Sequence, residues 1–477
     1  MHQPIHSFVP GAGPLLHRSG PGPRFAGLLA GVAIAVSLAT AGIAPAAPAE
    51  IIEAVRAEVM RPVADSLRRD PAIPDPPSAE GLAGRVLCGY QGWFNTPADG
   101  GNLGWKHWSR SPRRPPALDT LHVDLLPDVS ELSADERFPS SILGADGRPV
   151  ELFSSRHPAT VDRHFRWMRD YGIDGAVVQR FAEQLSSPDH LRNGTVVLDH
   201  CRAAALRHGR IYAVMYDLTG LKRGEASIVI DDWRALRTRM QIGEDPAALR
   251  LGDRPLVAVW GIGFADRDYR LEDCRRIVEA FRDDGCAVLA GVPTGWRTLD
   301  RDAAADPQLH PLLARCQVVS PWTVGRYRDA GEAATHAARD WSADLRWCAD
   351  RGITYLPVVF PGFSWHNLHG GPLDEIPRDR GRFLWRQFRE AARVGAPAAY
   401  VAMFDELDEA TAIFKCAAPP AGEAASRLLG LEGLPSDHYL RLTGAARRLL
   451  HDRLPFPDEP PIAAAQPPEA RGPEPSR

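Results

Sequence analysis

TVVLDHCRAAALRHGRIYAVMYD, residues 195–217, reads as a helix, a glycine and a buried strand in succession. The helical part stops at Gly209, a residue type that readily takes the left-handed conformation ending a helix. IYAVMYD (211–217) is then continuously apolar instead of alternating, the pattern of a strand covered on both faces. Working outward, the same kind of run recurs on both sides. VLCGYQGWF (86–94) and GAVVQRF (175–181) precede it. PLVAVWG (255–261), CAVLAGVP (286–293), CQVVSPWTV (316–324), TYLPVVFPGF (354–363) and YVAMFDELDE (400–409) follow. Helical stretches lie between most of them. ATVDRHFRWMRDYG (159–172) places Val161, Phe165 and Met168 on one face. LEDCRRIVEAFRDDG (271–285), WSADLRWCADRG (341–352), DRGRFLWRQFREAARVG (379–395) and SDHYLRLTGAARRLLHD (436–452) repeat the pattern. The connection around 300–315 is only weakly helical. Eight strand–helix alternations predict an α/β fold of the (β/α)8 TIM barrel type. The alternative, an open doubly wound sheet, lacks support, because neither a GxGxxG nor a Walker loop follows the first strand.

The barrel domain is expected over 81–454. Before it, FAGLLAGVAIAVSLATAGIA (25–44) is charge-free and apolar, with Arg18 and Arg24 upstream and a small-x-small site at Ala47-Pro48-Ala49. Residues 1–49 thus read as a signal peptide, the alternative being an uncleaved N-terminal membrane anchor. Either places the remainder outside the cytoplasm, secreted or in the periplasm or cell envelope. Residues 50–80 read as a short amphipathic helix and a Pro-rich linker, and the Pro-rich tail 455–477 is expected to be disordered. The formal net charge of -4 gives no sequence-wide basic field, so nucleic acid is not the expected partner. A monomer is expected. Seven cysteines without a CxxC pair offer no zinc or redox motif; a bond such as Cys274–Cys286 stays open. No cofactor or metal is expected.

Catalytic residues of a barrel stand at the C-terminal ends of its strands. Those ends carry Tyr90, Gln91 and Trp93, then Gln179 and Arg180, then Tyr216 and Asp217, then Trp260, Trp296, Trp322, and Trp365 with His366. Sugar rings stack their C–H faces on aromatic rings, while their hydroxyls want Asp, Arg, His and Gln. Packing is the competing account for each Trp, loop capping for Asp217, and a structural role for His366. The last strand ends in Asp405-Glu406-Leu407-Asp408-Glu409. Alternation puts Asp405 and Glu406 on opposite faces, with Glu406 on that of Phe404. Glu409, three residues on, should lie where the strand turns into its loop. Two carboxylates at one mouth are the minimum equipment for glycoside cleavage, and each raises the other's pKa. The long loop 95–158, containing GWKHW and HVDLLPDVSEL, is placed to complete the site.

AMFDELDEATAIF (402–414) resembles the last barrel strand of the family 99 glycoside hydrolases, the endo-α-mannosidases, and their family 71 relatives. The family pattern Phe-Asn-Glu-Trp-His-Glu-Gly-Thr places its two glutamates on Glu406 and Glu409 and its Thr on Thr411. GYQGWF (89–94) is similar to the family's aromatic first strand. The resemblance implies a retaining α-glycosidase acting on an oligo- or polysaccharide. Glu406 would be the base on the sugar 2-hydroxyl and Glu409 the general acid/base. This chain departs at Asp405, Leu407, Asp408 and Ala410, which leaves the sugar open.

Two other readings remain. One is a non-catalytic carbohydrate-binding protein on the same scaffold. The other is a metal-dependent hydrolase holding a cation through Asp405, Asp408 and Glu409.

Overall fold

The computed structural model describes residues 48–61, 81–144 and 146–462. The apolar run 25–44 read as a signal peptide or anchor, the end of the expected linker and residues 463–477 lie outside the described residues. Among the described residues, all eight apolar runs become strands of one parallel barrel. They are β1 (Val86–Tyr90), β2 (Gly175–Phe181), β3 (Ile211–Asp217), β4 (Arg254–Trp260) and β5 (Ala287–Val292). β6 (Val318–Pro321), the two-part β7 (Thr354–Tyr355 and Val358–Val359) and β8 (Ala399–Val401) complete the ring. Each strand pairs with its sequence neighbours, and β1 pairs with β8 through Val86↔Ala399 and Cys88↔Val401. β7 is split at Leu356-Pro357 because proline brings no N–H to a ladder. Its first half pairs with β6 and its second with β8, so the ring still closes.

Two apolar cores follow from the alternation of side chains along buried strands. Leu87, Val177, Met215, Ala258, Leu289 and Tyr400 fill the barrel interior. Their neighbours Cys88, Val178, Val214, Val257 and Val288 pack outward against the helices. Gly89 is required on the inner face. A Cβ there would come within 2.2 Å of the Tyr400 hydroxyl and of Met403.

The helices are α1 (Pro158–Tyr171), α2 (Pro188–His208), α3 (Ala226–Arg239) and α4 (Leu271–Asp283). α5 is the single turn Leu309–Leu313, and α6 runs Ala330–His336, through a π-helical turn Ala337–Trp341, to Ser342–Ala349. α7 (Arg382–Arg393) and α8 (His438–His451) close the ring. α1 and α2 both begin on proline, whose fixed φ suits a first turn, and end on left-handed Gly172 and Gly209. α3 was not legible as a helix. Its Ile228-Val229-Ile230 run has strand-like β-branching, and helical spacing shows only in the buried set Val229, Ile230, Trp233 and Leu236.

Both flanks of the barrel pack onto it. The helix Ala49–Val59 buries Ile52 and Val55, and Glu58 pairs with Arg192 of α2 at 2.9 Å. Within the segment expected to be disordered, the Phe456 ring lies 5.1 Å from that of Trp385, whose indole donates to the Pro457 carbonyl. The seven cysteines are buried and unbonded to one another, Cys274 and Cys286 included. No helix of the described residues is long and apolar enough to cross a membrane.

α8 meets the end of α1 at Gly444, where a Cβ would fall 1.9 Å from the Tyr171 carbonyl oxygen. Gly444→Ala is expected to cost about 1–3 kcal/mol in urea unfolding. Gly194→Ala, also in a helix but facing open space, should be neutral or stabilise by up to about 1 kcal/mol. Equal effects of the two would contradict this packing.

Candidate active site

β8 is short. It stops at Val401, so the acidic segment is a turn and not the strand expected to reach 409. The loop 403–414 folds back on itself through Met403 N–H to Thr411 O, Ala412 N–H to Glu406 O and Phe414 N–H to Phe404 O. It is pinned from four directions. Phe404 N–H donates to Gly89 O of β1, Asp124 N–H to Leu407 O, and Ser364 N–H to Glu409 O. The buried Arg378 donates 2.7 Å bonds to the carbonyls of Ala410 and Ala412.

All four acids of this loop are buried, and each has its own donors. Asp405 accepts from the backbone N–H groups of Gln91 (2.8 Å) and Gly92 (2.9 Å). Both oxygens are engaged and the residue has no exposed surface, so Asp405 clamps β8 to β1 and does not face a sugar. That engagement also removes it from the oxygen-ligand set Asp405, Asp408 and Glu409. Glu406 accepts from the Gln91 amide at 3.0 Å and from the Thr411 hydroxyl at 3.4 Å. Asp408 faces His107 Nδ1 at 2.9 Å, and the Trp365 indole serves Glu409.

Burial is the main force on their protonation, because it penalises the charged form. It pushes Asp405 and Asp408 up to about 7. Burial, then the charge of Asp408, pushes Glu409 up to about 8. Glu406 is raised well above the usual carboxylate range by burial and then by the charges of Glu409 and Asp408. The charge of Glu409 thus acts directly on Glu406.

Strand parity sorts the remaining candidates. Asp217 and Trp260 stand on the inward register at the ends of β3 and β4. Asp217 also caps its loop by accepting from Thr219 N–H at 2.8 Å. Trp322 joins Trp260 edge to face at 5.4 Å. Trp93 lies parallel to His107 at 3.9 Å and stacks on Phe181 at 5.2 Å. Beside it a small depression opens, lined by Gln91, Lys106 and Gln179 among others. Trp365 reaches Glu409, while His366 next to it has Nδ1 bonded to the Gly371 carbonyl.

Four expected site residues point the other way. Tyr90 is buried against α1, its hydroxyl 2.9 Å from His164 Nδ1. Arg180 borders the depression, yet its guanidinium is turned into the wall, bonded to Asp232 at 2.6 and 2.8 Å. Tyr216 donates to the same carboxylate at 2.7 Å. Trp296 is fully buried outside the barrel with its indole on Asp344. Tyr90, Arg180 and Tyr216 are each one residue out of the inward register, which a doubly buried strand does not reveal in its sequence, and Trp296 lies in the turn beyond β5.

Sequence reasoning missed His107, His122 and Lys106. All three lie in the long loop after β1 that was expected to complete the site. Burial holds His122 down at about 4 and His107 well below the usual imidazole range. Lys106, pushed down to about 8 by burial, lies 2.6 Å from His190. No short motif marks these residues.

The fold is similar to that of an endo-α-mannosidase of glycoside hydrolase family 99 from Bacteroides thetaiotaomicron. Two of its structures, one in complex with bis-tris-propane, each match with a TM-score of 0.56 and 14% identity. The match covers 78% of this chain and 98% and 99% of those chains. At that identity the likeness is one of fold. No family model matches the chain, and no curated protein matches it.

The Arg180–Asp232 pair gives a prediction that separates wall from mouth. Asp232→Asn leaves a buried guanidinium without its counter-charge and is expected to cost about 3–5 kcal/mol in denaturant unfolding. Ligand binding at the barrel mouth by the folded fraction should be unchanged. A lost affinity with unchanged stability would place Arg180 in the site after all.

Proposed function

We propose that this chain is an exported, monomeric glycoside hydrolase that cleaves α-linked glycans. The observation that carries this reading is the buried pair Glu406 and Glu409 at the C-terminal mouth of the barrel, where the charge of Glu409 helps to raise the pKa of Glu406. Inward aromatics at Trp260, Trp322 and Trp365 offer faces for sugar rings. The likeness in fold to an endo-α-mannosidase supports the same reading. Export is supported by the charge-free run 25–44 with its small-x-small site.

The roles are those the family resemblance implies. Gln91 and Thr411 both donate to Glu406 Oε2 and hold it in place, the Gln91 bond opposing in part the upward push of burial on its pKa. Glu406 would take the proton of the sugar 2-hydroxyl as O2 closes onto C1. Glu409 would give its proton to the departing glycosidic oxygen. A 1,2-anhydro sugar results. Glu409 then accepts a proton from water, which opens the ring at C1, and Glu406 returns its proton to O2. Two inversions at C1 retain the configuration. Mannan-like glycans are the first substrates to consider.

The test is reducing-end release from a panel of α-mannans, other microbial glycans and arabinoxylans. Wild-type protein is expected to release sugar from at least one. Glu406→Gln and Glu409→Gln should each lower the rate by about 10²–10⁴-fold while glycan affinity is kept. Binding without release by the wild type would replace this reading with that of a carbohydrate-binding protein.

A further inference from the structure

His107 and His122 come from the long loop after β1, and Asp408 from the loop after β8. One ligand atom of each lies within 4.8 Å of the other two. Two loops far apart in sequence thus converge on a set of two imidazoles and one carboxylate, the donor set favoured by zinc and its transition-metal neighbours.

The surroundings carry the argument further than the spacing alone. His122 Nδ1 lies 3.2 Å from the His107 carbonyl oxygen. A carbonyl only accepts, so that nitrogen bears the proton, and Nε2 keeps the lone pair. A ring nitrogen tied to a backbone carbonyl is the usual outer-shell support of a metal-binding histidine. His107 is held just as firmly. Its ring lies parallel to Trp93, with an interplanar angle of 5° and 3.9 Å between centroids. Its backbone has φ 62°, a left-handed conformation uncommon outside glycine. His107 Nδ1 and Asp408 Oδ2 stand 2.9 Å apart, a hydrogen-bond distance, so a bound ion would take the place of the proton between them.

The remaining observation concerns Asp408 itself. Its side chain is 3% exposed, and Oδ1 is buried without a hydrogen-bond partner. A buried carboxylate oxygen left so is costly, and a divalent cation would satisfy it. We propose that His107, His122 and Asp408 form a three-ligand site for a divalent transition metal of the zinc type, beside Glu409. Three protein ligands leave a further coordination position for water or a substrate hydroxyl. The site does not depend on whether the chain cleaves glycans, because metal occupancy is read without any substrate.

Full-length protein without a polyhistidine tag is stripped with chelator and titrated with Co²⁺, following the visible absorption of the bound ion. Zn²⁺ and Ca²⁺ are titrated separately by calorimetry. One Co²⁺ per chain is expected, displaced by Zn²⁺ and indifferent to Ca²⁺. His122→Ala and Asp408→Asn should each weaken Co²⁺ binding by at least about a hundredfold, no less than the loss of an outer-shell partner costs. Circular dichroism establishes that the variants are folded, and His107→Ala replaces either one that is not. The proposal is overturned if wild-type protein takes up no stoichiometric Co²⁺ or Zn²⁺, if Ca²⁺ binds in preference, or if the folded variants bind as the wild type does.

Discussion

The Asp405 carboxylate holds the mouth of the barrel together. β8 ends at Val401, and its ladder with β1 ends there too. Beyond that point the backbone N–H groups of Gln91 and Gly92 need acceptors, and the two oxygens of Asp405 supply them. A side chain thus takes the place of a strand partner. Asparagine at this position would offer one acceptor oxygen and turn an NH2 group toward the other donor. Because Asp405 fixes the Gln91 backbone, it also sets the Gln91 amide on Glu406. The geometry of the proposed base is therefore inherited from a residue with no exposed surface.

The fold was legible because burial on both faces writes strands as continuous apolar runs. All eight runs became strands, including TYLPVVFPGF, where Pro357 interrupts β7 without opening the ring. The same double burial hid the parity of each strand. Tyr90, Arg180 and Tyr216 read as mouth residues because polar and aromatic groups stood at strand ends. Asp217 and Trp260 read the same way, and only the fold shows that one set faces helices and the other the cavity. Asp232, which takes up Arg180 and Tyr216, lies in α3, the helix whose β-branched start masked it.

The acidic segment was legible as a site but not as a geometry. Asp405 and Glu406 were expected on alternating faces of a strand and Glu409 at its turn into the loop, yet all four acids sit on a turn pinned by Gly89, Asp124, Ser364 and Arg378. None of those contacts leaves a local signature, since each joins residues distant in the chain. The histidines that meet Asp408 share that property. GWKHW and HVDLL look like ordinary loop sequence until tertiary structure brings His107 and His122 to the same place.

The manner of satisfying these acids differs from that in the wall, and the difference bears on function. In the wall, Asp232 is met by the full positive charge of Arg180. At the mouth, the donors are backbone N–H groups, the Gln91 amide, the Thr411 hydroxyl, an imidazole held neutral by burial, and the Trp365 indole. Such dipoles hold carboxylates in place without cancelling their charge. No guanidinium or ammonium group is among these donors. Glycoside cleavage passes through a sugar ring carrying partial positive charge. In the reaction proposed above, an acid held by neutral donors remains free to meet that charge as it develops, whereas one paired with arginine is already neutralised.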